Sequence, residues 1–228
     1  MNIPAAKTAI VLGATGVVGR ELVELLTQAA QVDKVISITR RPIEYTASKV
    51  INKVVNFDQL EKYASIFKGD ILFSCLGTTL KLAGSIEQQR LVDVNYQYQA
   101  AEFALNNGVS HYLLVSSSGA SVNSHSGYLK MKGELEEQIT MLNFSQISII
   151  QPSLLLGERK DFRLGEKLAS ALLPLLSRIP ALNKYRPITG KQVATKMCCI
   201  ALSSIADNII KNQQYKIRYY RLDELFDK

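Results

Sequence analysis

The sequence predicts an α/β fold organised as a doubly wound parallel sheet. Two observations predict it. Short, nearly continuous apolar runs alternate with helical patterns from the first residues onward, as expected of strands covered by helices on both faces. A glycine-rich turn, Gly13-Ala14-Thr15-Gly16-Val17-Val18-Gly19, then joins the first apolar run directly to an amphipathic helix. At 228 residues, 47% hydrophobic and 21% charged, the chain is large enough for one sizeable core. It shows no repeat, linker or low-complexity tract, so residues 1–228 read as a single domain.

The elements follow in order. Thr8–Leu12 (TAIVL) is a buried strand and Val17–Gln28 the first helix. Lys34–Thr39 and Val50–Val55 are the second and third strands. Asp58 is placed to N-cap a helix carrying Leu60 and Tyr63. Ile71–Ser74 is the fourth strand, and one long helix runs from Gln88 to Asn106, closed by Asn107-Gly108. His111–Val115 is the fifth strand, Gly127–Leu142 a helix and Gln146–Ile150 the sixth strand. After Pro152 the pattern changes. Leu154–Gly165 reads as a charged loop, Leu164–Arg178 as an apolar-rich helix, Tyr185–Gly190 as a connection and Lys191–Ser203 as another helix. Tyr215–Tyr220 alternates like an edge strand. This tail is too short for its own domain and is expected to close over the sheet, with 152–189 as a small C-terminal substrate-side loop and helix, or lid region.

Composition removes several function classes. No apolar run reaches the length of a membrane span, and Met1–Lys7 lacks the apolar stretch of a secretory signal. Cys75, Cys198 and Cys199 form neither a disulfide framework nor a metal-ligand pattern, and with two histidines no metal site is expected. The cysteines read as reduced core residues, so the expected location is cytoplasmic. The net charge of +7 lies partly in Lys211, Lys216, Arg218 and Arg221, but no nucleic-acid recognition motif accompanies it. It is read as a solvated face that can also steer an anionic ligand.

The glycine turn carries the first functional signal. Its glycines permit a tight turn and a close approach of backbone to a pyrophosphate, and the helix start at Val17 and Val18 offers N–H groups and a positive dipole end. A strand before and a helix after make it the phosphate-binding turn of a dinucleotide-binding Rossmann domain, with Gly13, Thr15, Gly16, Val17, Val18 and Gly19 at the ligand. An NAD site usually has an acidic residue at the tip of the second strand. Here Arg40-Arg41-Pro42 stands there, and Asp33 precedes the strand. Two guanidiniums suit a ribose 2′-phosphate, so NADP(H) is expected over NAD(H).

The second signal is Tyr128-Leu129-Lys130-Met131-Lys132. On a helix, Tyr128 and Lys132 share a face. The Lys132 ammonium favours the phenolate of Tyr128, which could then exchange a proton with a carbonyl or alcohol oxygen. Tyr45 and Lys49 have the same spacing but sit between strands with no long helix, and are read as a chance match. Ser116-Ser117-Ser118-Gly119 follows the fifth strand at its C-terminal end, where open α/β sheets bind ligands. Ser117 is the candidate to hydrogen-bond the reacting oxygen, with Ser118 as the alternate.

These residues resemble the short-chain dehydrogenase/reductase superfamily in its atypical branch. Ser74-Cys75-Leu76-Gly77-Thr78-Thr79, Ser117-Ser118-Gly119-Ala120, Tyr128 with Lys132-Gly133-Glu134, Pro152-Ser153-Leu154-Leu155 and Arg163-x-Gly165-Glu166, together with Arg40-Arg41, look like the Tat-interacting-protein oxidoreductases over roughly residues 7 to 205. The resemblance implies an NADPH-binding fold with Tyr128 as proton donor or acceptor. It implies that Lys132 orients Tyr128 and holds the nicotinamide ribose. It adds Leu76, Gly77, Pro152, Leu155 and Arg163 to the cofactor site. Ser118 departs from the lysine usual in eukaryotic members.

The expected function is therefore NADP(H)-dependent reduction of a carbonyl, or oxidation of an alcohol, on a small-molecule substrate. A non-catalytic NADPH-sensing scaffold and a dinucleotide-retaining epimerase are the alternatives. A protein partner or homodimer cannot be read from the chain. Cys75 reads as a buried filler, His125 as a solvated loop residue, and Leu168, Leu172, Leu173, Leu176 and Ile179 as a core or cleft stripe.

Overall fold

The computed structural model describes residues 6–156, 186–210 and 217–226, apart from the side chains of 204–210. Seven strands form one parallel sheet: β1 (Lys7–Leu12), β2 (Val32–Thr39), β3 (Val50–Val54), β4 (Ile71–Ser74), β5 (His111–Val115), β6 (Gln146–Gln151) and β9 (Ile217–Arg221). Their order is β3-β2-β1-β4-β5-β6-β9, and every neighbouring pair is parallel. This is the predicted Rossmann-like doubly wound sheet. The chain winds outward in one direction from β1 and in the other from β4, so a crevice opens at the carboxyl ends of β1 and β4.

The alternation of side chains along each strand builds a core on both faces. Ile10, Leu12, Ile36, Leu72, Tyr112, Leu114, Ile147 and Ile149 face α4 (Tyr96–Asn106) and α5 (Gly127–Thr140), where they meet Ala100, Ala104, Leu135 and Ile139. Ala9, Val11, Val35, Phe73, Leu113 and Ile150 face α1 (Val17–Gln28) and α6 (Gly190–Ile210), where they meet Leu22, Leu26, Val193 and Met197.

Several expectations are corrected. The stretch after β3, Phe57–Ile66, is 3₁₀-helical with a kink at Gln59, and it is capped by Asn56 rather than Asp58: the Asn56 side chain accepts from the Asp58 N–H at 3.1 Å. The single helix expected over 88–106 is interrupted. Short helices α2 (Leu80–Ala83) and α3 (Ile86–Arg90) come first, and a π turn, Leu91–Asn95, joins α3 to α4. The stretch after Pro152 is not all loop. Leu155–Leu156 (β7) pairs in parallel with Ile188–Thr189 (β8). The far tail does more than close over the sheet. α6 packs on α1, and β9 extends the sheet beside β6, with Gln151 opposite Arg221. Cys199 is exposed, not a core residue. Arg163 and the stripe Leu168–Ile179 lie outside the described residues.

Candidate active site

The glycine turn leaves β1 at the crevice. Gly13 adopts a left-handed φ of +79°, and a Cβ there would stand 2.6 Å from the backbone of Cys75 and Leu76, which leave β4 alongside it. A Cβ on Gly19 would stand 2.2 Å from the Gly13 carbonyl oxygen. The two glycines therefore let α1 start hard against the turn. Gly16 is the N-cap and supplies no side-chain cap, so the first N–H groups of α1 are left for a ligand. This cradle fits the pyrophosphate of a dinucleotide.

Beside it lies a cavity of about 1250 Å³. Its wall brings together Val17, Val18, Leu76, Gly77, Ser117, Tyr128, Lys132, Pro152 and Leu155, all of which the sequence placed at the site. Ser116 and Ser118 line it too. Gly13, Thr15, Gly16 and Gly19, which the sequence also placed at the site, do not line it. Arg40 and Arg41 are exposed at the tip of β2 and do not line the cavity. The spare match at Tyr45 and Lys49 is occupied structurally: Tyr45 Oη hydrogen-bonds Ser37 Oγ at 2.7 Å, and Lys49 Nζ donates to the Ala29 carbonyl at 3.1 Å.

Tyr128 begins α5 and is 39% exposed, while Lys132, one turn on, is only 3% exposed. The Lys132 Nζ stands 5.9 Å from the Tyr128 ring centroid. What holds this buried ammonium is a residue the sequence reading missed. Asp93, fully buried, places Oδ1 3.4 Å from Lys132 Nζ and accepts from the Thr78 N–H at 3.3 Å. Asp93 sits in the π turn. Gln97 steadies that turn by donating Nε2 to the carbonyls of Asp93 at 2.9 Å and Val92 at 3.2 Å, and Ser74 donates to its Oε1 at 2.8 Å. A π turn inserts one residue and rotates the following helix, so no 3.6-residue pattern exposes it. Arg90 pairs with Glu134, which ties α3 to α5.

Burial governs the nearby titrating groups. It pushes the Cys75 thiol up to about 12, against a smaller opposite pull from Lys132, although Cys75 is half-buried on the cavity wall and not the fully buried filler its sequence context suggested. It raises the Glu136 carboxyl on α5, which accepts from Gln151 Nε2 at 2.8 and 3.0 Å. It lowers His111, beside Ser148 Oγ at 2.9 Å, to about 4.

Comparison with known proteins agrees with this geometry. Residues 13–161 match a family described as NAD(P)H-binding. The mitochondrial protein FMP52-1 of Scheffersomyces stipitis is 34% identical over 223 residues, covering 96% of each chain. Protein HTATIP2 of Rattus norvegicus is 38% identical over 167 residues, 72% of this chain and 69% of its own. Among solved structures, MoeE5 in complex with UDP-glucuronic acid and NAD superposes with a TM-score of 0.67 at 15% identity, over 94% of this chain and 76% of that one. A short-chain dehydrogenase/reductase superfamily protein of Agrobacterium tumefaciens with bound NAD gives 0.63 at 14%, over 84% and 72%. The cytoplasmic expectation does not stand, because the fungal relatives that match nearly the whole chain are named mitochondrial. Among the described residues, no helix is long and apolar enough to cross a membrane. With the family match over most of its length and relatives matching along nearly all of it, the chain belongs to the NAD(P)H-binding family that its match describes, and it is similar to the FMP52 and HTATIP2 proteins.

Proposed function

We propose that the protein is an NADP(H)-dependent oxidoreductase that interconverts a carbonyl compound and its alcohol. The observation that carries this reading is the meeting of Ser117, Tyr128 and Lys132 on one cavity wall, beside the uncapped start of α1.

The dinucleotide supplies the hydride when bound. The protein positions and moves a proton. Ser117 Oγ donates a hydrogen bond to the substrate oxygen and holds it near Tyr128. In reduction, Tyr128 gives its phenolic proton to that oxygen as the carbon gains the hydride, which leaves an alcohol and a phenolate. The Lys132 ammonium stabilises that phenolate. Asp93 keeps the ammonium in place and offsets part of its charge. Solvent then reprotonates the exposed Tyr128.

Preference for the phosphorylated dinucleotide rests on Arg40 and Arg41, whose loop is held in advance of binding. Thr39 Oγ1 donates to the Arg41 carbonyl at 2.7 Å, Asn52 Nδ2 donates to Thr39 Oγ1 at 2.8 Å, and Asn52 Oδ1 accepts from the Ile43 N–H at 3.0 Å. A fixed loop loses little entropy when it closes on a phosphate.

The test is Tyr128→Phe. Turnover of a carbonyl panel, followed by NADPH oxidation, should disappear, while NADPH affinity stays near that of the unmodified chain. Full activity in the variant would sink the mechanism. Titration with both dinucleotides tests the arginine pair: equal affinity for NADH and NADPH would refute it.

A further inference from the structure

Among the described lining residues only Lys132 and Asp93 bear charged groups, and they face each other. Leucines, isoleucine and methionine supply much of the remainder. Leu80, Ile86 and Leu154 line it while 50%, 61% and 47% exposed, an unusual presentation of large apolar side chains to solvent.

Leu222 lines the same cavity from the far end of the chain, and it does so at φ +47°. It is the one non-glycine among the described residues with a positive φ. A left-handed backbone crowds a Cβ, and glycine or asparagine would take this turn more readily. Leu222 is nevertheless held there from both sides. Before it, Arg221 is paired in β9 opposite Gln151, and its Nε donates to Gln151 Oε1 at 2.7 Å; Gln151 in turn holds the Glu136 carboxylate. After it, the Arg221 N–H donates to Glu224 Oε2 at 2.9 Å, Leu225 is buried, and the Phe226 ring lies 3.7 Å from the Arg186 guanidinium carbon. Strain that the surroundings over-determine points to what the residue presents. Here that is an isobutyl group on the wall of the reaction cavity.

We propose that the site takes an uncharged, predominantly apolar ketone or aldehyde (or the matching alcohol), and that Leu222 is a specificity-determining residue in contact with its hydrocarbon part. This rests on the carbonyl-reduction reading above. A nucleotide sugar, such as MoeE5 holds, brings two phosphates and hydroxylated rings, to which the side chains of Leu80, Ile86, Leu154 and Leu222 offer no hydrogen bond.

The test uses the full chain saturated with NADP⁺, titrated calorimetrically with 2-decanone and with UDP-glucose, in the unmodified protein and in Leu222→Gly. 2-Decanone should bind the unmodified protein at least about tenfold tighter than UDP-glucose. Leu222→Gly should weaken 2-decanone by roughly tenfold, as loss of a hydrocarbon contact does, while leaving the melting temperature equal or higher. Weaker binding without any loss of stability is what a merely structural leucine would not give. Absent 2-decanone binding, unchanged affinity in Leu222→Gly, or equally tight UDP-glucose would each overturn the proposal. NADPH oxidation with 2-decanone is read separately. Binding without turnover leaves the substrate class standing and removes the reaction. Turnover indifferent to Leu222→Gly does the reverse.

Discussion

The Lys132–Asp93 pair is a quantitative target. Both side chains are buried, and Nζ and Oδ1 lie 3.4 Å apart. At an effective dielectric of about 20 that separation corresponds to an attraction of about 5 kcal/mol, most of it offset by the desolvation of two ions. Removing both partners costs no more than removing one, because removing one strands the other charge in the interior. Asp93→Asn keeps an acceptor for the Thr78 N–H but leaves Lys132 uncompensated, and should cost roughly 3 kcal/mol. Lys132→Met strands the Asp93 carboxylate at a similar cost. The double variant strands neither and should lose about 3 kcal/mol rather than about 6, a coupling near 3 kcal/mol. For a chain of this size each single variant should melt roughly 10 °C lower. Urea unfolding of the dinucleotide-free protein, with calorimetry alongside, gives the four free energies. Additivity within about 0.5 kcal/mol would refute the argument, since it would mean that neither charge depends on the other for its place in the core.

Three further outcomes are expected. Gly13→Ala combines a left-handed φ of +79° with a Cβ 2.6 Å from the Cys75 backbone, so it should lower the melting temperature and weaken NADPH at least about tenfold; undiminished affinity would contradict the cradle. His111 is held down to about 4 by burial, so the folded state takes up its proton later than the unfolded chain. Stability is therefore complete above the unfolded value of about 6.5 and is lost as pH falls toward the folded one, by about 2 kcal/mol near pH 5. Urea midpoints measured against pH should show this loss in the unmodified chain and not in His111→Gln. Finally, Cys75 is pushed up to about 12 and Cys199 is exposed, so iodoacetamide at about pH 8 should modify Cys199 and spare Cys75, as mass spectrometry can read. Comparable labelling of Cys75 would show that its surroundings open.

Some of this was legible along the chain because it is local. Apolar runs such as Ile10–Leu12 and Leu113–Leu114 declare strands buried on both faces, and the stretch from Gly13 to Gly19 can only be a tight turn into a helix. Tyr128 and Lys132 share a face by helical period alone. The 3₁₀ helix at Phe57 was missed in its cap because Asn56 and Asp58 are both good capping residues, and only backbone geometry chooses between them. The π turn at Leu91–Asn95 was missed because an inserted residue leaves no signature in a hydrophobic pattern.

The sequence by itself determined the sheet, the glycine turn from Gly13 to Gly19 and the spacing of Tyr128 and Lys132, since periodicity and turn chemistry act between near neighbours. Only the tertiary structure decided that Asp93 meets Lys132. That contact needs α4 and α5 to pack on one face of the sheet and a π turn to aim the carboxylate. The tertiary structure alone also put Leu222 into the cavity, against its own backbone preference. β9 must lie beside β6 for Arg221 to reach Gln151, and that long-range pairing outweighs the local strain of one leucine.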